Sequence, residues 1–201
     1  MSLPTRATFD ALFASDTDPW KFRERWYEAR KRALTLACLP RARYAHGYEP
    51  ACANGELSAA LAERCDRLLI SDGSAAAVAL ARRRVADCPG VTVAEAWLPD
   101  DWPAQRFDLI VLSEVGYYLA PAALEVLAQK AFGSLAPEGD LVLCHWRHPI
   151  PDCEQDGDAV HRCFERAGPD LRRWSLVDPD FRLDVWSGDA RSVAQREGLR
   201  A

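Results

Sequence analysis

From residue 43 to 187 short apolar runs alternate with helical patterns, and this alternation limits the fold more than any other feature of the chain. ARYAHGYE (42–49), RLLISD (67–72), VTVAEA (91–96), FDLIVLS (107–113) and DLVLCHW (140–146) read as strands. GELSAALAERC (55–65), SAAAVALARRRVAD (74–87) with Ser74 as its cap, and PAALEVLAQKAFGSL (121–135) read as helices between them. FDLIVLS is apolar throughout, the mark of a central strand covered on both faces. Repeated βα units of this length predict an α/β, Rossmann-like, doubly wound open sheet, mostly parallel. A helix over 156–167 is followed by LRRWSLV (171–177), a turn at Asp178-Pro179-Asp180 and FRLDVWS (181–187). Two alternating runs around a tight turn predict a hairpin, which gives the sheet an antiparallel edge.

The two ends read differently. Asp18-Pro19 carries the cap-then-proline signal of a helix start, predicting a helix through WKFRERWYEARKRALTLACL. Its apolar residues form two stripes, one with Trp20, Tyr27 and Leu34, the other with Phe22, Trp26, Ala29 and Ala33. Between residues 21 and 43 there are eight basic residues and two acidic ones, in a chain of net charge −5. Such a helix either packs on the domain with a solvated cationic face or closes over a site. Residues 188–201 are polar, a short surface helix or a frayed tail.

Composition narrows the functional classes. With 49% hydrophobic and 27% charged residues, the chain is an ordinary globular one. No apolar run approaches the roughly 18 residues of a membrane span, and the N-terminus lacks the basic-then-apolar order of a signal peptide. The seven cysteines form no CxxC, which argues against a zinc or redox site and for a reduced, cytoplasmic protein. His145-x-x-His148 with Cys144, Cys153 or His161 matches no standard zinc spacing, so no metal is expected. An acidic chain offers nucleic acid no general attraction. No membrane partner is expected, and the oligomeric state stays open.

In a doubly wound sheet ligands bind at the carboxyl ends of the strands. The first strand ends in Glu49-Pro50-Ala51-Cys52-Ala53-Asn54-Gly55, a small-residue turn, and Asp72 ends the second. Small residues let a ligand approach the backbone, and a carboxylate at Asp72 suits the paired hydroxyls of a ribose. A dinucleotide would want G-x-G-x-x-G at the turn and no negative charge beside its pyrophosphate. This turn has one glycine, and Glu49 adds a carboxylate. S-adenosylmethionine (SAM) has no phosphate and carries an ammonium and a sulfonium, so the charge pattern favours it over a nicotinamide dinucleotide. An unoccupied turn is the remaining reading.

The turn, Asp72 and FDLIVLSEVGYYL (107–119) together resemble class I SAM-dependent methyltransferases. Asp18-Pro19-Trp20, WYEARK (26–31), LPDDWP (98–103) and HWRHPIPD (145–152) narrow the resemblance to the nodulation protein S family, over about residues 8–187. That resemblance implies a seven-stranded sheet with one antiparallel strand. It divides the chain into a helical lid or extension (1–40), a methyltransferase domain (41–187) and a polar tail (188–201). It implies N-methylation of a small-molecule amine or amino sugar, with S-adenosylhomocysteine (SAH) as the second product.

By the same resemblance the loop from Glu49 through Ala51 to Gly55 would contact the methionine end of SAM. Asp72 would hold the ribose with Gly73 beside it, Trp97 and Leu98 would flank the adenine, and Ser113 and Glu114 would lie beneath the cofactor. Trp20 and Tyr27 would cover the adenosine, and Arg30 would pair with the methionine carboxylate. Glu114 could attract a cationic amine, and Tyr118 or Tyr117 could pack on it or pack the next helix instead. His145 could take the amine's proton or serve as a hydrogen-bonded residue at the sheet end. Two departures from the family pattern stand out. Ala51 and Ala53 replace glycines, costing roughly 1–2 kcal/mol each if φ is positive there. Trp97 stands where an acidic residue commonly meets the adenine amine, and an indole accepts no hydrogen bond. A non-catalytic domain with a degenerate cofactor loop is therefore the alternative expectation.

Overall fold

A computed structural model describes residues 3–168 and 170–200. The chain runs α1 (Arg6–Ser15), α2 (Trp26–Ala37), β1 (Tyr44–Pro50), α3 (Glu56–Ala62), β2 (Cys65–Asp72), α4 (Ala75–Arg84), β3 (Val91–Glu95) and β4 (Phe107–Ser113). A 3-10 turn (Gly116–Tyr118), α5 (Pro121–Gly133), β5 (Leu135–Trp146), α6 (Gly157–Ala167), β6 (Arg172–Val177), β7 (Phe181–Ser187) and α7 (Val193–Arg196) follow. The seven strands lie in the order β3-β2-β1-β4-β5-β7-β6. All neighbours are parallel except those of β7, which runs antiparallel to both β5 and β6. The antiparallel strand is thus one place in from the edge, because the hairpin folds β7 back between β5 and β6.

Central-strand burial follows the sequence pattern. Along β4, Ile110 and Leu112 enter the core beneath α5 and α6, while Leu109 and Val111 enter the core beneath α2, α3 and α4. Each of these side chains is at most 1% exposed, a burial that stabilises by about 1.5–3 kcal/mol apiece. Ser74 caps α4 by accepting from the Ala77 N–H, as its position predicts. The Pro-Glu-Gly turn before residue 140 becomes an irregularity inside β5, where pairing with β4 jumps from Phe107–Leu135 to Leu109–Asp140.

The first forty residues depart most from expectation. The helix expected from Pro19 begins only at Trp26. Asp18 accepts from the backbone N–H of Phe22 and Arg23 at 2.9 and 3.1 Å, and Lys21 holds φ +61°. A carboxylate closing a local loop and a left-handed residue three positions on end any helix there. The stripe through Trp20 and Tyr27 is consequently split between two segments, and Trp26 is 77% exposed rather than part of an apolar face. Sequence reading assigned no separate helix to α1, which opens with a reciprocal Thr5–Thr8 capping box. In the polar tail, α7 is tied down by Arg196, which donates to the Pro40 carbonyl and pairs with Asp189.

Candidate active site

Strand order switches direction between β1 and β4, and a cavity of about 550 Å³ opens at the carboxyl ends of the strands there. Glu49 at the end of β1, Asp72 at the end of β2, Ser113 at the end of β4 and Trp146 at the end of β5 all line it. Ala51, Gly73, Trp97, Leu98, Glu114 and Tyr118 line it as well, with Trp20 and Tyr27 from the N-terminal segment. All of these except Trp146 are residues expected from the sequence, and the fold brings them to one cavity.

At the β1–β2 end the backbone does the shaping. Ala51 and Ala53 sit at φ +56° and +50°, and Gly55 at +84°. A Cβ on Gly55 would stand 3.1 Å from the Ala81 Cα, so the loop tucks that glycine under α4 as the cap of α3 rather than toward the cavity. Asp72 accepts from the Ala53 N–H and the Ser74 N–H, both at 2.9 Å, which fixes the loop to the second strand. Burial raises the Asp72 carboxyl against those donors. Glu49 is 3% exposed, and its Oε2 has no hydrogen-bond partner. Burial, aided by the charge of Asp72, pushes its carboxyl up to about 8. Asn54 donates to the Thr17 carbonyl and to Asp18, both at 3.1 Å, while its Oδ1 is unpartnered. Trp97 packs against Gly73, where a Cβ would come within 2.2 Å of the indole.

The α1 helix closes this end. Phe9 meets Trp97 at 6.4 Å and Tyr118 edge-on at 5.1 Å, and Phe13 meets Trp20 at 5.6 Å. Asp10 holds α1 to the start of α4, accepting from the Ser74 hydroxyl at 2.7 Å and the Ala76 N–H at 3.3 Å.

The β4–β5 end is assembled from side chains. Lys31 of α2, 5% exposed, donates to Glu28 at 3.2 Å and to Glu114 at 2.6 Å, and its ammonium lies 5.1 Å from the Tyr27 ring centre. Glu114, at φ +58°, also accepts from the Tyr117 hydroxyl and from the Trp146 N–H at 2.9 Å. Burial opposes the charge on Lys31, but the two carboxylates outweigh it and hold its pKa above the usual lysine value. Burial raises the Glu28 carboxyl, with Lys31 partly opposing. The Tyr27 hydroxyl is buried without a partner. Sequence reading missed Glu28 and Lys31 as site residues. Their (i, i+3) pairing inside WYEARK was the available signal.

Two expected residues lie elsewhere. Arg30 is turned to the hairpin, where it pairs with Asp178 at 2.7 Å, and does not line the cavity. His145 is 1% exposed and faces the sheet interior. Its Nε2 accepts from the Gly116 N–H at 3.2 Å, so its Nδ1–H is directed at His161 Nε2, also 3.2 Å away. His161 in turn donates to Asp184 at 2.6 Å. Burial, with Lys31 and His161 nearby, drives the pKa of His145 well down. It is a neutral brace for the turn after β4, not a base open to the cavity. Among the described residues no three His, Cys, Asp or Glu side chains form a metal-binding group.

The residues present fit SAM. The unpartnered Oε2 of Glu49 matches a cationic group, and unpartnered acceptor and hydroxyl atoms at Asn54 and Tyr27 remain for a polar ligand.

Comparison with known proteins agrees with this geometry. The family model of nodulation protein S (NodS) matches residues 11–161. Nodulation protein S from Sinorhizobium fredii is 31% identical over 127 residues, 62% of this chain and 59% of that relative's length. A crystal structure from Pseudomonas syringae, assigned as a methyltransferase, is 51% identical, covering 81% of this chain and 99% of its own at a TM-score of 0.72. The N-methyltransferase NodS from Bradyrhizobium japonicum, in complex with SAH, shares the fold at a TM-score of 0.81 and 24% identity, covering 90% of this chain and 97% of its own.

Proposed function

The chain belongs to the nodulation protein S family, and on that premise we propose that it is a SAM-dependent N-methyltransferase acting on a small-molecule amine or amino sugar. The observation that carries the reading is Glu49, a buried carboxyl on the cavity wall whose Oε2 has no hydrogen-bond partner, just before the positive-φ residues Ala51 and Ala53. SAM, when bound, supplies an electrophilic methyl group, the carbon–sulfur electron pair staying on sulfur as SAH forms while the acceptor's lone pair makes the new bond.

Each residue then has a task. Glu49 meets the ligand's positive charge, Asp72 takes the ribose hydroxyls, and Trp97 with Leu98 flanks the adenine ring. Ser113 and Tyr27 line the path between the two ends. Phe9 and Trp20 cover the cavity and keep water from it, which strengthens every charge interaction inside. Among the described residues no helix is long and apolar enough to cross a membrane. We read the enzyme as cytoplasmic, with a small molecule rather than nucleic acid as its partner.

A second reading, a binding domain that takes no SAM, rests on one observation: Ala51 and Ala53 carry side chains at φ values that favour glycine. Calorimetric titration with SAM and SAH, beside a thermal-shift scan with NAD, separates the readings. Micromolar binding of a SAM ligand with no response to NAD is expected. Silence from both SAM ligands would transfer the case to the binding domain.

A further inference from the structure

Glu28 and Glu114 flank one buried ammonium, yet they are held very differently. Glu114 is saturated: Lys31, the Tyr117 hydroxyl and the Trp146 N–H all donate to it. A carboxylate fixed by three donors is a poor proton acceptor, since each donor stabilises the ionised form. Among the described residues Glu28 has Lys31 as its only side-chain donor, and it lines the same cavity and is 7% exposed. The charged groups facing it are Lys31 and Arg32 from its own helix and Glu114 from the turn after β4. Asp180, from the β6–β7 turn, lines the cavity but is held by His148 at 2.9 Å. Lys31 is kept charged between its two carboxylates and has no lone pair to offer, and His145 faces away from the cavity.

We propose that Glu28 is the catalytic proton acceptor of the site, receiving a primary or secondary ammonium group as an ion pair and taking its proton. This rests on the methyltransferase reading above. The proton passes from the ammonium nitrogen to a Glu28 oxygen, and the lone pair left on nitrogen is the one that bonds to the methyl carbon. The N-methylammonium product departs, Glu28 returns its proton to water, and one proton is released per methyl transferred. Burial favours the step, because it exchanges a buried ion pair for two neutral groups. Lys31, bridging Glu28 and Glu114, is a positioning residue that keeps both carboxylates in place.

The test measures SAH release at saturating SAM with ethylamine, benzylamine and glucosamine as acceptors, over pH 6 to 10. Productive encounter needs one proton shared between Glu28 and the amine, so wild-type kcat/KM is expected to be bell-shaped in pH. In Glu28→Gln only the free amine is productive. Its kcat/KM should fall about 100-fold near neutrality and recover as pH rises through the amine's own pKa. Glu28→Asp, which keeps the carboxylate, should retain the bell and serves should the glutamine variant not fold. A loss in Glu28→Gln that is uniform across pH, or an unchanged profile, overturns the proposal. So does turnover of none of the three amines by protein that binds SAM. Failure to bind SAM or SAH overturns the methyltransferase reading instead.

Discussion

The two ends of the cavity solve the burial of charge in opposite ways. At the β1–β2 end the Glu49 carboxyl has no cation beside it and its Oε2 has no hydrogen-bond partner, and backbone dihedrals shape the wall. At the β4–β5 end Lys31, Glu28, Glu114, Tyr117 and the Trp146 N–H satisfy one another before any ligand arrives. A buried unpaired charge is expensive unless it is neutralised or partnered. The first end is therefore completed by what it binds and the second by the fold. Breaking the second should cost stability, and breaking the first should cost affinity.

Lys31→Met gives the largest effect. It leaves buried Glu28 and half-buried Glu114 facing one another, and losing one partner of a buried ion pair typically costs about 3–5 kcal/mol. Urea unfolding at pH 7 should show that loss, and adding Glu114→Gln should recover part of it. A loss within experimental error would mean that the cluster is no more than a surface-like ion pair.

Glu49 breaks the comparison from the other side. With its carboxyl raised to about 8, the free protein carries it protonated at neutral pH. A cationic ligand binds the ionised form and lowers that pKa. Affinity for SAM is therefore complete above about pH 8 and weakens by up to tenfold per unit as pH falls below it. Glu49→Gln should abolish this dependence and weaken SAM by about 1.5–3 kcal/mol without lowering the melting temperature. A pH-independent SAM affinity in the wild type would remove Glu49 from contact with the ligand's charge.

The same contrast explains what could be read from sequence. Glu49, Ala51, Asp72 and Ser113 were legible because a parallel sheet places strand ends and first turns at the binding crevice wherever the strands are recognised. The order of β6 and β7 was not, since a hairpin pattern states pairing but not which strand faces β5. Glu28 and Lys31 were hidden because their roles depend on Glu114, which is distant in sequence, and on which face of α2 meets the sheet. The same dependence on helix face places Arg30, one residue around from Lys31, on the hairpin side against Asp178. Of the two readings open for His145, the structure shows the hydrogen-bonded one, and strand-end position alone does not say that Gly116 and His161 take both ring nitrogens. The α1 helix went unseen because its cap uses Thr8 where glutamate or glutamine is the usual partner.

Backbone strain at the open end supports a smaller prediction. Ala51→Gly with Ala53→Gly should raise stability by about 1 kcal/mol per site, the relief of a left-handed alanine less the added freedom of glycine in the unfolded chain. Chemical denaturation measures it. Tighter SAM binding in the same variant would show that the two methyl groups also crowd the ligand, whereas no gain in either quantity would mean the loop relaxes at no cost.

The smallest effect tests the cover that the two ends share. Phe9 touches Trp97 at one end and Tyr118 at the other, so α1 can loosen only by uncovering both. Its latch is Asp10 on the first turn of α4, where the Ser74 hydroxyl and the Ala76 N–H hold the carboxyl below its ordinary value. A depressed carboxyl pKa contributes stability that is present above the unfolded value and disappears as pH falls through the folded one. The latch is thus closed at neutral pH and opens in acid. In Asp10→Ala, hydrogen exchange over residues 6–15 should accelerate at pH 7 while amides of β1, β4 and β5 keep their protection. Acid should speed exchange of α1 in the wild type beyond the intrinsic rate change, and not in the variant. Equal protection of α1 in both proteins would mean that the aromatic contacts alone hold the cover, and the two ends would then be joined by packing rather than by charge.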